Sequence, residues 1–297
     1  MSSEITSDLI GATAELRRDG AARRVTTIGA PSYSPLRLLS GVGKLAQYRD
    51  LLYTLSVHRI KVRYKQSVLG IAWAILQPLS LMLIYTVIFS FIARMPSDGA
   101  PYAIFAYAAL LPWTCFSNAL TNATNSLVNH SHLVTKVYFP REILPLTYVA
   151  AAIFDFMIAS TVFIGLMVYY HVPLTAHALY ALPVVAVLMV FTTAMALFFS
   201  STQVRFRDIG VAMPLLLQLW MFATPVVYPL SAVPKRLLPI YSLNPMVGLI
   251  ENFRQVMLYG AVPDLRLLGI AALVSIVLLI ASYIYFKRVE ATVADLI

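Results

Sequence analysis

Apolar residues along the chain gather into six long runs that are separated by polar stretches. A membrane-spanning helix needs roughly 20 mainly apolar residues to cross a hydrocarbon layer about 30 Å thick. The runs therefore predict an all-α integral membrane protein with six transmembrane helices within residues 68–286. The runs are Val68–Ala93, one that begins near Tyr102 and becomes polar after Phe116, Ile143–Tyr170, Ala178–Ser201, Ile209–Tyr228 and Leu267–Phe286.

Composition supports a bilayer environment. Hydrophobic residues make up 60% of the 297 residues, charged residues make up 12%, and the mean hydropathy is +0.78. In soluble domains, charged residues account for about a quarter of the chain. This balance excludes an ordinary soluble protein.

Lysine and arginine are distributed unevenly among the connections. Of the 22 such residues, eleven precede the first span, and the second connection, the fourth connection and the segment after the sixth span hold six more. The remaining connections hold five. Because positive residues are enriched on the cytoplasmic side of membrane proteins, this distribution places both termini in the cytoplasm. The net charge of +9 is then a topology and lipid-headgroup signal, and nucleic-acid binding is a poor second interpretation.

The amino-terminal region divides into two parts. Residues 1–43 are polar and lack the apolar core of a signal peptide, which favours a flexible cytoplasmic tail. Residues 44–67 predict an amphipathic helix in the membrane interface, although a helix packed on the cytoplasmic ends of the bundle has the same pattern. Residues 287–297 are predicted to be a second cytoplasmic tail. The apolar positions of the interfacial helix are Leu45, Tyr48, Leu52, Leu55 and Val62.

The connection between the fifth and sixth spans, residues 229–265, is long, faces outward and is interrupted by four prolines. Asn244 and Pro245 have the pattern of an N-cap followed by proline at the first helical position. The helix that they begin contains Glu251 and Arg254 among apolar residues. Because so apolar a segment is unsuited to water, we expect a pair of short re-entrant helices in the outer leaflet.

The second span carries two stripes of residues. Asn118, Asn122, Asn125 and Asn129 fall on one helical face, where they line a hydrated path or bond to neighbouring helices. On nearly the opposite face lie four aromatic residues, which we interpret as a belt at the membrane interface. The aromatic residues are Tyr102, Phe105, Trp113 and Phe116.

Asp155 is the only acidic residue well inside a predicted span. Ionisable residues in spans are costly and usually face the bundle interior or water, which makes Asp155 a candidate for the translocation path. No intramembrane cation is available to pair with it, so a protonated or hydrogen-bonded structural role is equally compatible.

Enzyme and metal motifs are scarce. The chain contains no HExxH, no GxSxG and no GxxxxGK[ST] phosphate loop. His130 and His132 are two residues apart and point to different faces of a helix. We therefore predict a non-enzymatic chain with no metal site and no cofactor of its own, so that any ATP is bound by another chain.

The cytoplasmic connection at residues 129–142 combines charges with a high density of apolar side chains. Exposed apolar residues at this density favour association with another protein. The segment therefore predicts a docking surface.

Four separated segments together resemble the membrane subunits of ABC exporters for polysaccharides and teichoic acids. The resemblance covers about residues 45–286 and excludes the amino-terminal tail. The four segments are RYKQSVLGIAWAILQP at 63–78, LVTKVYFPREILP at 133–145, RFRDI at 205–209, and LNPM followed by ENFR at 243–254.

The resemblance implies a homodimer of six-span subunits in the bacterial cytoplasmic membrane. Two copies of a separate ATPase would bind ATP and magnesium, and the substrate would be a glycan on polyprenyl pyrophosphate. The resemblance further implies an ATPase-coupling loop with contacts at Val134, Lys136, Tyr138, Phe139 and Arg141. It also places the entrance for the lipid pyrophosphate near Arg59, Lys61, Arg63 and Lys65, although these cations fit equally well as positive-inside anchors.

Three other functions remain open. An ABC exporter of a drug or small lipid is the nearest alternative. A secondary glycan flippase would need several intramembrane charges, whereas the spans contain one. A membrane-embedded transferase would need grouped acids at one membrane face, and the outward segment offers only Glu251 and Asp264.

Overall fold

A computed structural model describes residues 47–65 and 67–296, with side chains to residue 290. All regular secondary structure in these residues is helical. The predicted 1–43 tail and Leu45 lie outside the described residues.

Eleven α-helices and three short helices of other types make up the described chain. They are α1 (Arg49–Lys65), α2 (Ala72–Tyr85, continued by a π-helix at Thr86–Ile92), α3 (Tyr102–Thr124), α4 (Ser126–Asn129), α5 (Ser131–Lys136), α6 (Ile143–Tyr169), a 3₁₀ turn (Ala176–Tyr180), α7 (Ala181–Arg205), α8 (Asp208–Phe222), a 3₁₀ turn (Leu230–Ala232), α9 (Leu238–Ser242), α10 (Pro245–Leu258) and α11 (Leu265–Leu296).

Within the described residues, five helical segments are long and apolar enough to cross a membrane. They correspond to the first, second, third, fourth and sixth predicted spans, and the all-α membrane fold is confirmed at this level. The segments are Ala72–Ile92, Tyr102–Thr124, Ile143–Tyr169, Ala176–Arg205 and Leu265–Glu290.

The fifth predicted span forms a shorter helix than its apolar run suggests. Helix α8 ends at Phe222, six residues before the predicted end at Tyr228. Pro225 disfavours helical backbone at the residue before it, and the following chain is buried without regular structure. Apolarity alone therefore does not fix where this helix ends.

Helix α3 is the central helix of the bundle and packs against α2, α6, α7 and α10. The four aromatic residues of the predicted belt are at most 6% exposed, and the Phe116 ring lies 5.2 Å from the rings of both Phe191 and Trp220. The predicted interfacial belt is therefore wrong for Tyr102, Phe105 and Trp113 as well as for Phe116. Burial of most of this helix, which hydropathy does not reveal, makes its aromatic face part of the core.

Within the described residues, helix α1 covers Arg49–Lys65 of the predicted 44–67 helix, and it packs on the bundle. Tyr48, Leu52 and Leu55 lie against a cluster that includes Leu127 and Phe139. This packing matches the alternative interpretation that the amphipathic pattern left open. Val62, further along, is 48% exposed.

Two predicted segments take defined positions at the ends of the bundle. Residues 287–296, predicted to be a tail, continue helix α11. In the 229–265 segment, Asn244 is the N-cap of α10, as predicted, and its Oδ1 accepts a hydrogen bond from the Met246 amide. Short helices α9 and α10 therefore meet at this residue.

Candidate functional site

Arg59 holds α1 against α6 and against the 129–142 segment. Its Nε donates to Thr147 Oγ1 at 2.7 Å, and its guanidinium lies over the Tyr148 ring, 3.4 Å from the ring centre. Its Nη2 lies 3.3 Å from His130 Nε2. Because His130 Nδ1 lies 2.9 Å from the Ser126 carbonyl, Nδ1 carries the proton and Nε2 accepts from Arg59. Arg59 is thus committed to contacts within the protein.

Asp155 is paired with α1, which supplies the cation that the spans themselves lack. Arg63 Nη1 donates to Asp155 Oδ2 at 2.6 Å, and the Tyr64 hydroxyl donates to Asp155 Oδ1. Asp155 is 8% exposed. The basic run and the intramembrane acid, predicted as separate sites, are therefore in direct contact.

Lys61 and Lys65 behave differently from Arg59 and Arg63. Both lysines are exposed, and neither forms an ion pair with a described residue. Of the four predicted basic residues, these two are therefore the most freely accessible to an anion, whereas an anion at Arg63 would have to compete with Asp155.

Arg63 and Asp155 form one wall of a polar cleft between α1, α2, α3 and α6, with an empty volume of about 330 Å³ including its open part. Gln77 and Asn118 also line the cleft, and their amides bond to each other at 3.2 and 3.4 Å. We call this the polar cleft. Sequence reasoning missed Gln77 and Tyr64; a polar residue within the first span was the available signal for Gln77.

The predicted asparagine stripe divides into two groups. Asn122 is exposed and donates to the Asn118 carbonyl at 2.6 Å, so it continues the surface that the polar cleft begins. Asn125 instead accepts from Gln203 Nε2 at 3.2 Å and joins α3 to α7. Asn129 is exposed beyond the end of α3. Asn125 therefore bonds to a neighbouring helix, as one interpretation predicted, whereas a hydrated path along Asn118 and Asn122 stays a prediction.

The 129–142 segment presents only part of its apolar surface. Val134 and Phe139 are 4% and 7% exposed and pack within their own chain. Lys136 is exposed and Tyr138 is 91% exposed, beside the exposed Val137. Any partner would therefore touch Lys136 and Tyr138, while Val134 and Phe139 fix the shape of the segment.

Arg141 and its neighbour Glu142 anchor the same segment to α11. Arg141 Nη1 donates to the Glu290 carbonyl at 2.8 Å, and its amide donates to the Glu290 carboxylate at 3.2 Å. Lys287 forms ion pairs at 2.8 Å with both Glu142 and Glu290. Arg141, predicted as a partner contact, thus has a positioning role in the structure. Sequence reasoning missed Glu142, Lys287 and Glu290, because their contacts join distant parts of the sequence.

Arg254 occupies a fully buried position on α10. Its guanidinium donates to the carbonyls of Val226 at 2.6 Å, Pro225 at 2.7 Å and Phe105 at 3.3 Å. These first two carbonyls belong to the non-helical chain after α8. Glu251, one turn earlier on α10, accepts from Gln255 at 3.4 Å. Arg254 therefore satisfies backbone groups that would otherwise be buried without partners.

Metal ligands are not grouped in the described part of the chain. No cluster of three or more His, Cys, Asp or Glu side chains there is arranged to hold a metal ion. The polar cleft offers a cation, two amides and a carboxylate. Separately, the 129–142 segment offers an exposed surface suited to protein contact.

Comparison with known proteins identifies the family. Residues 50–258 match the family described as ABC-2 type transporter. The chain is 34% identical over 252 residues to the O-antigen export system permease protein RfbA of Myxococcus xanthus, covering 84% of this chain and 96% of the relative. It is 27% identical over 249 residues to RfbA of Klebsiella pneumoniae, covering 84% and 95%. It is 24% identical over 246 residues to the polysialic acid transport protein KpsM of Escherichia coli, covering 80% and 93%. The resemblance predicted from four short segments is thereby confirmed, and the chain belongs to the ABC-2 type transporter family as a multi-pass membrane permease.

Proposed function

We propose that this chain is the transmembrane subunit of an ATP-driven exporter that moves polysaccharide on polyprenyl pyrophosphate across the bacterial cytoplasmic membrane. The observation that supports this proposal is that relatives from three organisms, aligned over 80% or more of this chain, are named for export or transport of polysaccharide. The chain itself supplies the path, and a separate ATPase supplies the energy.

The proposed topology has six crossings, with α8 as the fifth. Val204 near the end of α7 packs in the same cluster as Phe139, and Lys287 near the end of α11 pairs with Glu142. Both helix ends therefore lie beside the 129–142 segment. The chain between residues 206 and 264 must then pass to the opposite end, and α8 is the apolar helix within it. With the 129–142 segment in the cytoplasm, both termini are cytoplasmic, and α9 and α10 re-enter the outer leaflet.

The proposed mechanism places the ATPase on Lys136 and Tyr138. Two copies of this chain form a homodimer, and each binds one ATPase subunit that carries ATP and magnesium. Closure of the ATPase pair pushes on the 129–142 segments. Each segment is connected to α11 through the contacts of Arg141 and Glu142, and to α1 through the contact of His130. Movement of these helices opens a channel between the two copies.

The proposed substrate contacts lie in the polar cleft. Guanidinium groups bind phosphate oxygens through paired hydrogen bonds, and Lys61 and Lys65 add exposed positive charge on the same helix. Amides such as those of Gln77 and Asn118 donate to and accept from sugar hydroxyls. A phosphate at Arg63 would compete with Asp155, so substrate binding would loosen the contact between α1 and α6.

The test uses a strain that lacks this chain but keeps its ATPase and its glycan synthesis. We expect Gln77→Leu combined with Asn118→Leu to lower surface glycan strongly while the amount of complex with the ATPase is unchanged. Thr161→Val is the control, because Thr161 is an exposed hydroxyl of α6 that bonds only within its helix. Normal surface glycan in a strain without the chain would reject the proposed function, and normal glycan with the double variant would reject the proposed contacts.

Purification of the complex separates polysaccharide export from export of a drug or small lipid. We expect polyprenyl-linked glycan to co-purify with the complex and to be identified by mass spectrometry. Its absence, together with retention of an unrelated small molecule, would favour the alternative.

A further inference from the structure

An apolar cavity lies between α7, α8, α9 and α11 and shares no lining residue with the polar cleft. Its cavity volume is about 400 Å³, which is within the range of ligand sites. Six residues that line it are Phe191, Trp220, Ile240, Tyr241, Val274 and Leu278.

The polar side-chain atoms at the wall are engaged within the protein. Trp220 Nε1 donates to Asn244 Oδ1 at 3.3 Å, and Asn244 Nδ2 donates to Thr224 Oγ1 at 2.9 Å. The Tyr241 hydroxyl lies 3.3 Å from that of Tyr228. A polar ligand would find these groups occupied and would lose its hydration without compensation, so the wall favours an aliphatic chain.

The cavity opens onto a surface suited to lipid. Ile240 and Leu243 beside the opening are 67% and 62% exposed. On α11, one of the five segments able to cross a membrane, Leu273 and Val277 are 65% and 57% exposed. Apolar surface of this kind on a spanning helix faces hydrocarbon, so an acyl chain can enter the cavity from the side.

Two positively charged residues lie just before α9, the short helix that lines the cavity. Lys235 and Arg236 are exposed just before α9, and neither pairs with an acidic residue of the described chain. The nearby Ser231 donates to Asp98, which lies in the connection between α2 and α3, at the end of the bundle opposite the 129–142 segment. The two cations therefore lie at the same end of the bundle as that connection, and α9 joins them to the cavity wall at Ile240.

We infer that this is a binding site for an anionic glycerophospholipid of the outer leaflet. Its phosphate pairs with Lys235 and Arg236, and one acyl chain fills the apolar cavity against α9. Bound there, the lipid supports the junction of α8, α9 and α10 that Asn244 and Arg254 hold from within. The inference does not depend on the nature of the transported substrate.

The headgroup part is tested with the full-length protein in nanodiscs of phosphatidylglycerol or phosphatidylcholine with identical acyl chains. Native mass spectrometry counts the lipid that stays bound. We expect preferential retention of phosphatidylglycerol, and a loss of about 30-fold in that preference for Lys235→Gln with Arg236→Gln, from two cations worth roughly 1 kcal/mol each. The charge-keeping pair Lys235→Arg with Arg236→Lys and the outward control Arg94→Gln should keep the preference. Equal retention of both lipids by the unaltered protein would overturn the inference.

The acyl-chain part is tested by filling the cavity. Val274→Trp should reduce retention of both lipids, whereas Val277→Trp, one turn along on the exposed face of α11, should leave it unchanged. The oligomeric state is measured in parallel by light scattering. If Val274→Trp dissociates the protein into monomers, or if the retained mass is a polyprenyl species, the cavity has a different occupant and the inference fails.

Discussion

Arg254 shows how one side chain makes a broken helix tolerable inside an apolar bundle. Its guanidinium serves the carbonyls of Pro225, Val226 and Phe105, and its charge lies just past the carboxyl end of α8, where the helix dipole is negative. The neighbouring Phe105 ring, 3.6 Å from the guanidinium carbon, adds a cation–π contact.

Arg254→Leu is expected to destabilise the protein by about 3 kcal/mol or more, because each buried carbonyl left without a donor costs roughly 1–3 kcal/mol. The measurement is the thermal unfolding midpoint of the purified protein. Arg254→Lys should recover part of the loss, since an ammonium reaches fewer carbonyls than a guanidinium does. Arg266→Leu, at an exposed position, is the control, and an equal effect of both leucine variants would contradict the assignment.

The Arg63–Asp155 pair is expected to contribute a coupling free energy of about 1 kcal/mol in a double-mutant cycle of Arg63→Gln and Asp155→Asn. The value is modest because the Arg63 side chain is 43% exposed and water screens its charge. The exposed pair Arg49–Asp50, with side chains 84% and 94% exposed, should give a coupling near zero. A coupling equally small at Arg63 and Asp155 would mean that Tyr64 alone holds Asp155.

His130 is expected to make stability depend on pH. Burial lowers the pKa of its imidazole, the hydrogen bond to Ser126 opposes this effect, and the Arg59 charge lowers the pKa further. The unfolded chain, with a pKa of about 6.5, therefore takes up a proton before the folded protein does, and stability falls as pH drops below that value.

The unfolding midpoint at pH 7.5 and 5.5 measures this dependence. His130→Gln should reduce the loss on acidification, because glutamine still accepts from Arg59 without titrating. His132→Gln, at an exposed position, should leave the loss unchanged. Identical pH profiles for His130→Gln and the unaltered protein would contradict the role of His130.

At the scale of elements, the 129–142 segment separates residues that shape it from residues that it presents. Phe139→Ala should destabilise the protein by about 3 kcal/mol, because it leaves a cavity in a buried cluster. Tyr138→Ala should leave the unfolding midpoint unchanged, since that side chain is 91% exposed.

Under the proposed function, the same Tyr138→Ala variant should greatly reduce co-purification of the ATPase, as expected for an aromatic residue at the centre of an interface. Thr135→Ala, exposed on the same segment, is the control. Full recovery of the ATPase with Tyr138→Ala would move the docking surface elsewhere.

The elements differ in how far the sequence determines them. Long apolar runs predict the five long segments because length and apolarity are sufficient for a span. The end of α8 depends in addition on Arg254. This residue donates to the carbonyl of Pro225, which lies 29 positions earlier in the sequence. Likewise, the partner of Asp155 is 92 positions away on a helix that hydropathy places only at the membrane surface. The residues of the polar cleft could be proposed one by one, but their grouping required the packing of α1.

At the scale of the whole molecule, the contacts at the two ends of the bundle divide the connections into two sides. Lys287 joins α11 to the 129–142 segment, whereas Tyr259 donates to the Ser97 carbonyl and joins the end of α10 to the connection between α2 and α3. The side of each connection thus follows from side-chain contacts as well as from the distribution of positive charge. The two arguments group the connections in the same way, and Lys287 contributes to both.

Cysteine labelling in cells tests this arrangement, including the crossing by the 15-residue helix α8. In a Cys115→Ala background, Lys235→Cys should react with a membrane-impermeant maleimide added outside, because the proposed topology places the chain after α8 on the outer side. Lys136→Cys should react only after the membrane is opened, because the proposed topology places the 129–142 segment in the cytoplasm. Reaction of both positions from the same side would mean that α8 does not cross, and reaction of Lys136→Cys alone from outside would invert the orientation. If α8 does not cross, the part of α11 that contacts Glu142 would lie on the wrong side of the membrane for that contact. If the orientation is inverted, the 129–142 segment would be separated from a cytoplasmic ATPase. The labelling pattern therefore tests the topology on which the proposed transport depends.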